Sequence, residues 1–137
     1  MAIGILGYGE VGKAVASFIK SPLIKNSRID EIQNKKLDVL HVCMPYAKNF
    51  VKNVSLIRAS VVIIHSTVPV GVTKKIKNAV HSPVRGIHPH LRKGIKTFIK
   101  FIGADNRLGL RAKKHLERMG IKCELVNDSR TTELGKL

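Results

Sequence analysis

Aromatic residues, cysteines and long apolar runs are all scarce in this sequence. It has no tryptophan, two tyrosines, four phenylalanines and two cysteines. Cys43 and Cys123 lack the paired spacing of zinc ligands or a redox motif and lie among apolar residues, where free cysteine acts as a small hydrophobe. No apolar run reaches the roughly 18 residues of a bilayer-spanning helix, and no basic segment leads into an apolar one at the amino terminus. We therefore expect a soluble, cytoplasmic protein with no disulfide, metal site or membrane contact.

Acidic residues are also few. Nine Asp and Glu face 25 Lys and Arg, giving a net charge of +16. The imbalance is greatest in residues 72–122, where fourteen basic side chains stand against two acidic ones. Such a field attracts polyanions, whether phosphorylated or acidic small molecules, nucleic acid or an anionic surface, but it says nothing about the fold.

The pattern of apolar residues predicts the fold class. At 137 residues and 44% hydrophobic, the chain suits one compact domain. Residues 2–6 predict a strand, followed by a glycine turn and an amphipathic helix. Residues 39–44 and 61–64 predict buried parallel strands, with a helical stripe between them from Ala47 to Ile57. This alternation predicts an α/β fold with a doubly wound, mostly parallel, Rossmann-like sheet whose second strand is missing or short.

The second half of the chain is more irregular. In order, it predicts a short helix over residues 72–80, a long loop over 81–95, a strand over 97–102, a helix over 108–119 and an edge strand over 121–125. The loop has room for at most a short strand. Gly120 is well placed to cap the last helix.

Three glycines follow the first predicted strand and open the first predicted helix. Gly7 suits the tight turn, Gly9 the close approach of a pyrophosphate, and Gly12 the packing of helix on sheet. Free N–H groups at the helix start would face the phosphates. The alternative is a purely structural turn, because glycine is also the default residue there. The predicted cofactor-binding residues of this turn are Gly7, Tyr8, Gly9, Glu10, Val11 and Gly12.

An acidic residue that holds the adenosine ribose usually ends the second strand, about 20 positions after the glycines. Asp30 and Glu31 stand at that distance, although Asp30 could equally cap the segment after it. Lys25 and Arg28 offer another interpretation, in which they meet a 2′-phosphate and favour NADP over NAD. Two basic residues in so basic a chain are, however, more often part of the solvated surface.

Four motifs together resemble a known family. The glycine turn, HVCMPY at 41–46, HSTVPVG at 65–71 and HSPVRG at 81–86 resemble, in order, the N-terminal domain of UDP-glucose and GDP-mannose dehydrogenases. The 6-phosphogluconate and 3-hydroxyacid dehydrogenases share the general plan. The resemblance implies that residues 1–129 form a domain binding NAD or NADP. It also implies that residues 130–137 begin the helix that joins this domain to a C-terminal one.

The same resemblance implies roles for individual residues. Met44 and Pro45 would line the cofactor site, and Ser66 and Thr67 would face the nicotinamide and the substrate. Lys136, in TTELGKL at 131–137, matches a lysine that stabilises developing charge. A valine, Val84, stands where the family has a catalytic glutamate, and the family's downstream cysteine nucleophile is not in the chain. We therefore expect cofactor binding without turnover by the chain alone, and the resemblance leaves room for a homodimer.

Two other groups of residues have alternative interpretations. His88 and His90 have a ligand-like spacing, but no carboxylate or cysteine set accompanies them, which favours phosphate or substrate contacts from a polar loop over metal. The histidines concerned are His65, His81, His88 and His90. The basic residues Arg85, Arg92 and Lys93 could recognise a substrate phosphate or carboxylate, for which arginine offers paired donors, and the alternative is a solvated basic loop.

A basic helix face suggests the alternative function. Arg107, Arg111, Lys114 and Arg118 repeat at helical spacing and could follow a nucleic-acid backbone. No aromatic residue is interleaved with them as a base-stacking platform requires, so nucleic acid is the second choice of partner and a solvated helix the structural alternative.

Overall fold

The structure, a computed structural model, describes residues 1–25, 32, 35–84 and 90–136, without the side chains of Lys25 and Lys136. The strands of the described part are β1 (Ile3–Leu6), β2 (Leu23–Lys25), β3 (Lys36–Val42), β4 (Arg58–Ile64), β5 (Ala79–His81), β6 (Lys100–Gly103) and β7 (Cys123–Val126). The helices are α1 (Glu10–Ala16), α2 (Phe50–Ser55), α3 (Leu91–Thr97), α4 (Asn106–Arg118) and α5 (Ser129–Lys136), with a 3-10 turn at Thr73–Lys75.

The strands form one sheet in the order β2-β1-β3-β4-β5-β6-β7. Every neighbouring pair is parallel except β5 and β6, which meet antiparallel through His81 and Gly103. The chain runs outward from β1 to β2 and then returns to place β3 on the other side of β1. Ligands bind at such a reversal in open α/β sheets, outside the carboxyl ends of the strands. The predicted Rossmann-like sheet is confirmed, and its second strand is present but only three residues long.

Two apolar layers cover the sheet, and β3 contributes to both. Val39 and Cys43 belong to the layer under α1, α3 and α4, whereas Leu40 and Val42 belong to the layer under α2. This alternation follows from the two-residue period of a strand. All four side chains are buried, and burying each of the larger ones contributes about 1.5–3 kcal/mol. The continuous apolar run in the sequence therefore reflects a strand that is covered on both faces.

The segment from residue 72 to residue 97 differs from its prediction. The predicted helix over 72–80 is wrong beyond its first turn, because Ala79 and Val80 pair with Val62 and Ile63 of β4 as strand β5. Asn78 has a φ of 61°, a left-handed conformation that ends any helix before the strand begins. The predicted loop over 81–95 instead contains the start of α3, which begins at Leu91. Residues 85–89 of this loop lie outside the described residues.

The last elements agree better with the sequence. Helix α4 ends at Arg118, and Gly120 follows with a φ of 86°, as a C-terminal cap requires. Strand β7 is an edge strand of the sheet as predicted. The strand predicted over 97–102 begins only at Lys100, because α3 extends to Thr97. Among the described residues, no helix has the length and apolar character needed to cross a bilayer.

Candidate functional site

The glycine turn has the geometry expected of each glycine. Gly7 has a φ of 96°, and a Cβ atom there would lie 2.6 Å from the Met44 nitrogen. A Cβ atom on Gly12 would lie 2.0 Å from the Gly7 oxygen, so α1 could not pack so closely on the turn with any other residue. Beyond its chain neighbours, a Cβ atom on Gly9 would meet no atom of the described residues within 4 Å. Gly7 and Gly12 are therefore required by the fold, whereas Gly9 faces open space.

Three strand ends meet beside this turn. Cys43 donates its backbone N–H to the Leu6 oxygen at 2.8 Å, and His65 donates its backbone N–H to the Val42 oxygen at 2.9 Å. The Ser66 hydroxyl donates to the Met44 oxygen at 2.5 Å. The structure thus brings the glycine turn and the predicted residues Met44, Pro45, Ser66 and Thr67 to one edge of the sheet.

The side chains at this edge differ in exposure. Thr67 and Pro45 are exposed, while Ser66 is buried. Glu10 is exposed in the first turn of α1. The ammonium of Lys13 lies 5.9 Å from the centre of the half-buried Tyr8 ring. Val11 packs against the apolar layer under α1, so only its backbone is available to a ligand.

The second strand ends before the acidic residues. Strand β2 pairs with β1 through Leu6 and Lys25, and Lys25 is its last residue. The residue at the carboxyl end of the second strand is therefore basic. Arg28, Asp30 and Glu31, which the sequence offered as contacts to the ribose or its phosphate, lie outside the described residues.

A line of buried histidines was not foreseen. His41 on β3 lies between His65 and His115, with its Nδ1 2.8 Å from His65 Nε2 and its Nε2 2.9 Å from His115 Nε2. The His41 ring lies 5.0 Å from each of the other two, measured between ring centres. Burial lowers the pKa of all three imidazoles, and nearby positive charge lowers it further.

His65 and His81 are buried and lie at the ends of β4 and β5, so the prediction that they belong to a polar loop is wrong. His81 ends β5, and its Nε2 donates to the Ser66 oxygen at 2.9 Å, since a carbonyl can only accept. Its Nδ1 lies 2.8 Å from the Thr132 hydroxyl of α5. His81 therefore links the strand-end segment to the last helix. His90 is exposed before α3, and His88 lies outside the described residues.

Basic residues of the same region also serve the fold. Arg92 donates from Nε to the Ser17 hydroxyl at 2.9 Å, and its guanidinium lies 4.6 Å from the Phe18 ring centre. It therefore fastens α3 to the end of α1, which accounts for its charge without a ligand. The buried Lys100 donates from Nζ to the Ser82 oxygen. Lys93 is exposed, and Arg85 lies outside the described residues.

A buried carboxylate anchors α5, and the sequence analysis missed it. Glu133 is fully buried and accepts from the Gly71 N–H at 2.9 Å, the Thr73 N–H at 2.9 Å and the Thr73 hydroxyl at 2.7 Å. These three donors satisfy a charge that would otherwise be expensive to bury. The same segment, TTELGKL, contains Lys136, to which the family resemblance assigns a role and whose side chain is not described.

Replacing Glu133 with glutamine is expected to lower the free energy of unfolding by about 2 kcal/mol. The amide removes the charge, and its NH2 group cannot accept from the backbone donors at residues 71 and 73. Urea denaturation followed by circular dichroism measures the change. The matched control is Glu124→Gln on exposed β7, expected within about 0.5 kcal/mol of the parent. Equal stabilities of the two variants would contradict the anchoring role.

Other candidate sites offer less. The basic residues Arg107, Arg111, Lys114 and Arg118 are all exposed on α4, as the helical spacing predicts. No group of three or more His, Cys, Asp or Glu among the described residues is arranged to hold a metal ion. A surface concavity lined by Lys36, Arg58 and Asn78 lies where β3 and β4 begin, opposite the edge at which parallel sheets bind ligands.

Structural comparison places this edge in a known fold. No protein-family model matches the chain, and no curated protein matches it either. UDP-D-ManNAc dehydrogenase from Pyrococcus horikoshii matches with a TM-score of 0.79 at 17% identity, over 99% of this chain and 50% of that one. Mycobacterium tuberculosis 3-hydroxyisobutyrate dehydrogenase matches with a TM-score of 0.73 at 17% identity, over 98% and 57%.

A third similar structure was solved with a coenzyme. Psf3 in complex with NADP+ and 2-OPP matches with a TM-score of 0.73 at 15% identity, over 98% of this chain and 60% of that one. The chain thus spans about half to three fifths of the length of these structures. At these identities the likeness establishes the fold, which is the Rossmann-like fold of these dehydrogenases.

Proposed function

We propose that this chain, which shares its fold with nucleotide-sugar and hydroxyacid dehydrogenases, is the nicotinamide dinucleotide-binding domain of such an oxidoreductase. The observation that carries the proposal is the open space at Gly9, between two glycines that the fold itself requires. A turn that served only the fold would not need glycine at position 9. The similarity to a structure holding NADP+ supports the same conclusion.

The proposed contacts follow from the geometry of the edge. The backbone of the turn, from Gly7 to Gly12, meets the diphosphate, and the open side of Gly9 gives it close access. In this proposal Met44 and Pro45 line the cofactor site. Ser66 is held by its bond to the Met44 oxygen, and the exposed Thr67 faces the nicotinamide and the substrate.

The end of β2 favours NADP over NAD. Strand β2 ends at Lys25 beside the end of β1, the position from which the second strand of this fold reaches the adenosine ribose. A lysine there suits a 2′-phosphate, whereas an acidic residue would suit the two free hydroxyls of NAD. The high positive charge of the chain adds long-range attraction for the extra phosphate.

We propose that the complete reaction requires more protein than this chain. The proposed substrate is a nucleotide sugar or a hydroxy acid, and the bound nicotinamide supplies the acceptor for a hydride from the substrate carbon. In this proposal Thr67 positions the substrate, and Lys136 stabilises charge that develops during the transfer. Val84 offers no carboxylate, so we propose that the isolated chain binds coenzyme without turnover. A homodimer is part of this proposal.

A titration of the purified chain tests the function. NADPH is expected to bind with micromolar dissociation constant and NADH about tenfold more weakly, by the loss of phosphate contacts worth about 1.4 kcal/mol. Isothermal titration calorimetry measures both. Stronger binding of NADH would overturn the NADP preference, and binding of neither coenzyme would overturn the proposed function.

The second candidate is a basic module that binds nucleic acid or another polyanion. The observation in its favour is the exposed row of Arg107, Arg111, Lys114 and Arg118 on α4. A random DNA duplex, titrated in parallel at low and moderate salt, distinguishes the two functions. Affinity for DNA that falls steeply with salt, together with no coenzyme binding, would favour this second function.

A further inference from the structure

The three imidazoles of this line all lie in the interior of the domain. His41, His65 and His115 are 0%, 2% and 6% exposed. A neutral imidazole carries one N–H donor and one acceptor nitrogen. Each of the two nitrogen–nitrogen hydrogen bonds therefore needs one proton, and His41 must donate in one bond and accept in the other. The line can be protonated in two orders.

In the two orders, the proton of each ring lies on opposite nitrogens. In the first, His65 Nε2 donates to His41 Nδ1, His41 Nε2 donates to His115 Nε2, and the remaining proton of His115 is on Nδ1. In the second, both bonds are reversed, and His65 holds its remaining proton on Nδ1. A proton that enters at His65 Nδ1 and one that leaves from His115 Nδ1 convert the first order into the second, with no ring rotating.

The inner end of the line lacks a partner. His65 Nδ1 is buried and has no hydrogen-bond partner among the residues that the structure describes. Leaving such an atom unsatisfied costs about 1–3 kcal/mol. An apolar side chain would avoid that cost if the position served packing alone. His65 directly precedes Ser66 and Thr67 at the end of β4.

We propose that His65, His41 and His115 form a proton relay that runs from the strand end carrying Ser66 and Thr67 to helix α4. The placement of its inner end at the reacting centre rests on the proposed function. There, oxidation of a substrate hydroxyl breaks a C–H bond, whose electron pair goes to the oxidised nicotinamide as hydride, and an O–H bond. His65 Nδ1 takes the hydroxyl proton, and His115 Nδ1 releases one toward the surface of the domain.

The surroundings favour passage of the proton over its retention. Lys100 from β6 and His81 from β5 lie near His65, and Lys100 also acts on His41. Arg118 lies on the same helix as His115 and acts on it. Together with burial, these groups lower the pKa of each ring, so the resting line is neutral. A proton taken up at one end is therefore passed on at the other.

Nitrogen NMR of the chain labelled with 15N-histidine tests the relay directly. At neutral pH the two His41 nitrogens are expected to show shifts midway between protonated and unprotonated values, because the two orders exchange. Scalar coupling across both nitrogen–nitrogen bonds is also expected. In His115→Phe the outer bond is lost, and His41 should settle into one tautomer. His41→Phe should remove both couplings and fix the tautomer of His65.

The matched control is His90→Phe at an exposed position, which should leave the spectra of the three rings unchanged. If His41→Phe fails to fold, His115→Phe carries the test alone. Fixed tautomers in the unmodified chain, or absence of both couplings, would overturn the relay. NADPH titration of the same sample keeps the two proposals apart: exchange without coenzyme binding would leave the relay standing but overturn its placement at a dehydrogenase site.

Discussion

Replacement of Gly9 with valine is expected to weaken NADPH binding at least about a hundredfold, or about 2.7 kcal/mol, while the fold survives. The backbone at Gly9 is extended, with φ −80° and ψ −155°, which a β-branched residue adopts readily. Apart from its chain neighbours, no atom of the residues that the structure describes lies within 4 Å of the added Cβ. The new side chain would instead fill the space in which we place the diphosphate.

The control for this variant is Gly135→Val, since Gly135 is also exposed and a Cβ there meets nothing within 4 Å. It should bind NADPH as the unmodified chain does. Calorimetry gives the affinities, and thermal unfolding shows whether each variant is folded. An unchanged dissociation constant for Gly9→Val would remove the diphosphate from this turn. In contrast, Gly12→Val should unfold the chain, because its Cβ would lie 2.0 Å from the Gly7 oxygen.

The elements that local sequence determines were predictable. Strand β1, the glycine turn and α1 follow from an apolar run, three glycines and a helical stripe within the first 19 residues. Strands β3 and β4 were predictable because they are buried on both faces and therefore apolar throughout. The helix α4 carries both a clear apolar stripe and a glycine cap.

The elements that depend on distant partners were not predictable in the same way. Strand β5 is three residues long, and its pairing with β4 defines it, whereas its own apolar spacing also suits a helix. Helix α3 was not predicted, because the proline and histidine residues that precede it are typical of a loop. Pairing with β4 decided the case of β5 against its local pattern.

The same distinction between local and distant determinants applies to the candidate site. Its backbone parts, the glycine turn and the strand ends, could be located because parallel strands place their carboxyl ends together. The histidine line joins residues 24 and 74 positions apart in the chain, and no local pattern links them. One signal was present in the sequence: His41 interrupts the apolar run VLHVCM. A histidine in a strand that is buried on both faces needs a hydrogen-bond partner, so a second polar residue had to lie near it.

That buried line predicts a steep loss of stability in mild acid. The ordinary histidine pKa of about 6.5 applies to the unfolded chain. In the folded chain, burial is the main cause that lowers the pKa of His41, His65 and His115. Nearby groups lower these pKa values further: His115 and Lys100 act on His41, and Lys100 is the strongest such group at His65. Arg118 acts on His115. Below about pH 6.5 the unfolded chain therefore binds more protons than the folded chain, and the free energy of unfolding falls as pH falls.

Each histidine contributes at most about 1.4 kcal/mol per pH unit, so the three together contribute up to about 4. We expect the free energy of unfolding, from urea titrations, to fall by about 3 kcal/mol between about pH 7 and pH 5.5 and to change little from these groups between about pH 7.5 and pH 8.5. His41→Phe should reduce the slope by about a third, because one titrating group is removed. His90→Phe, at an exposed imidazole, should keep the full slope. A free energy of unfolding that is constant from neutral pH to pH 5.5 would mean that these imidazoles bind protons as readily in the folded chain as in the unfolded chain, which would contradict their lowered pKa values.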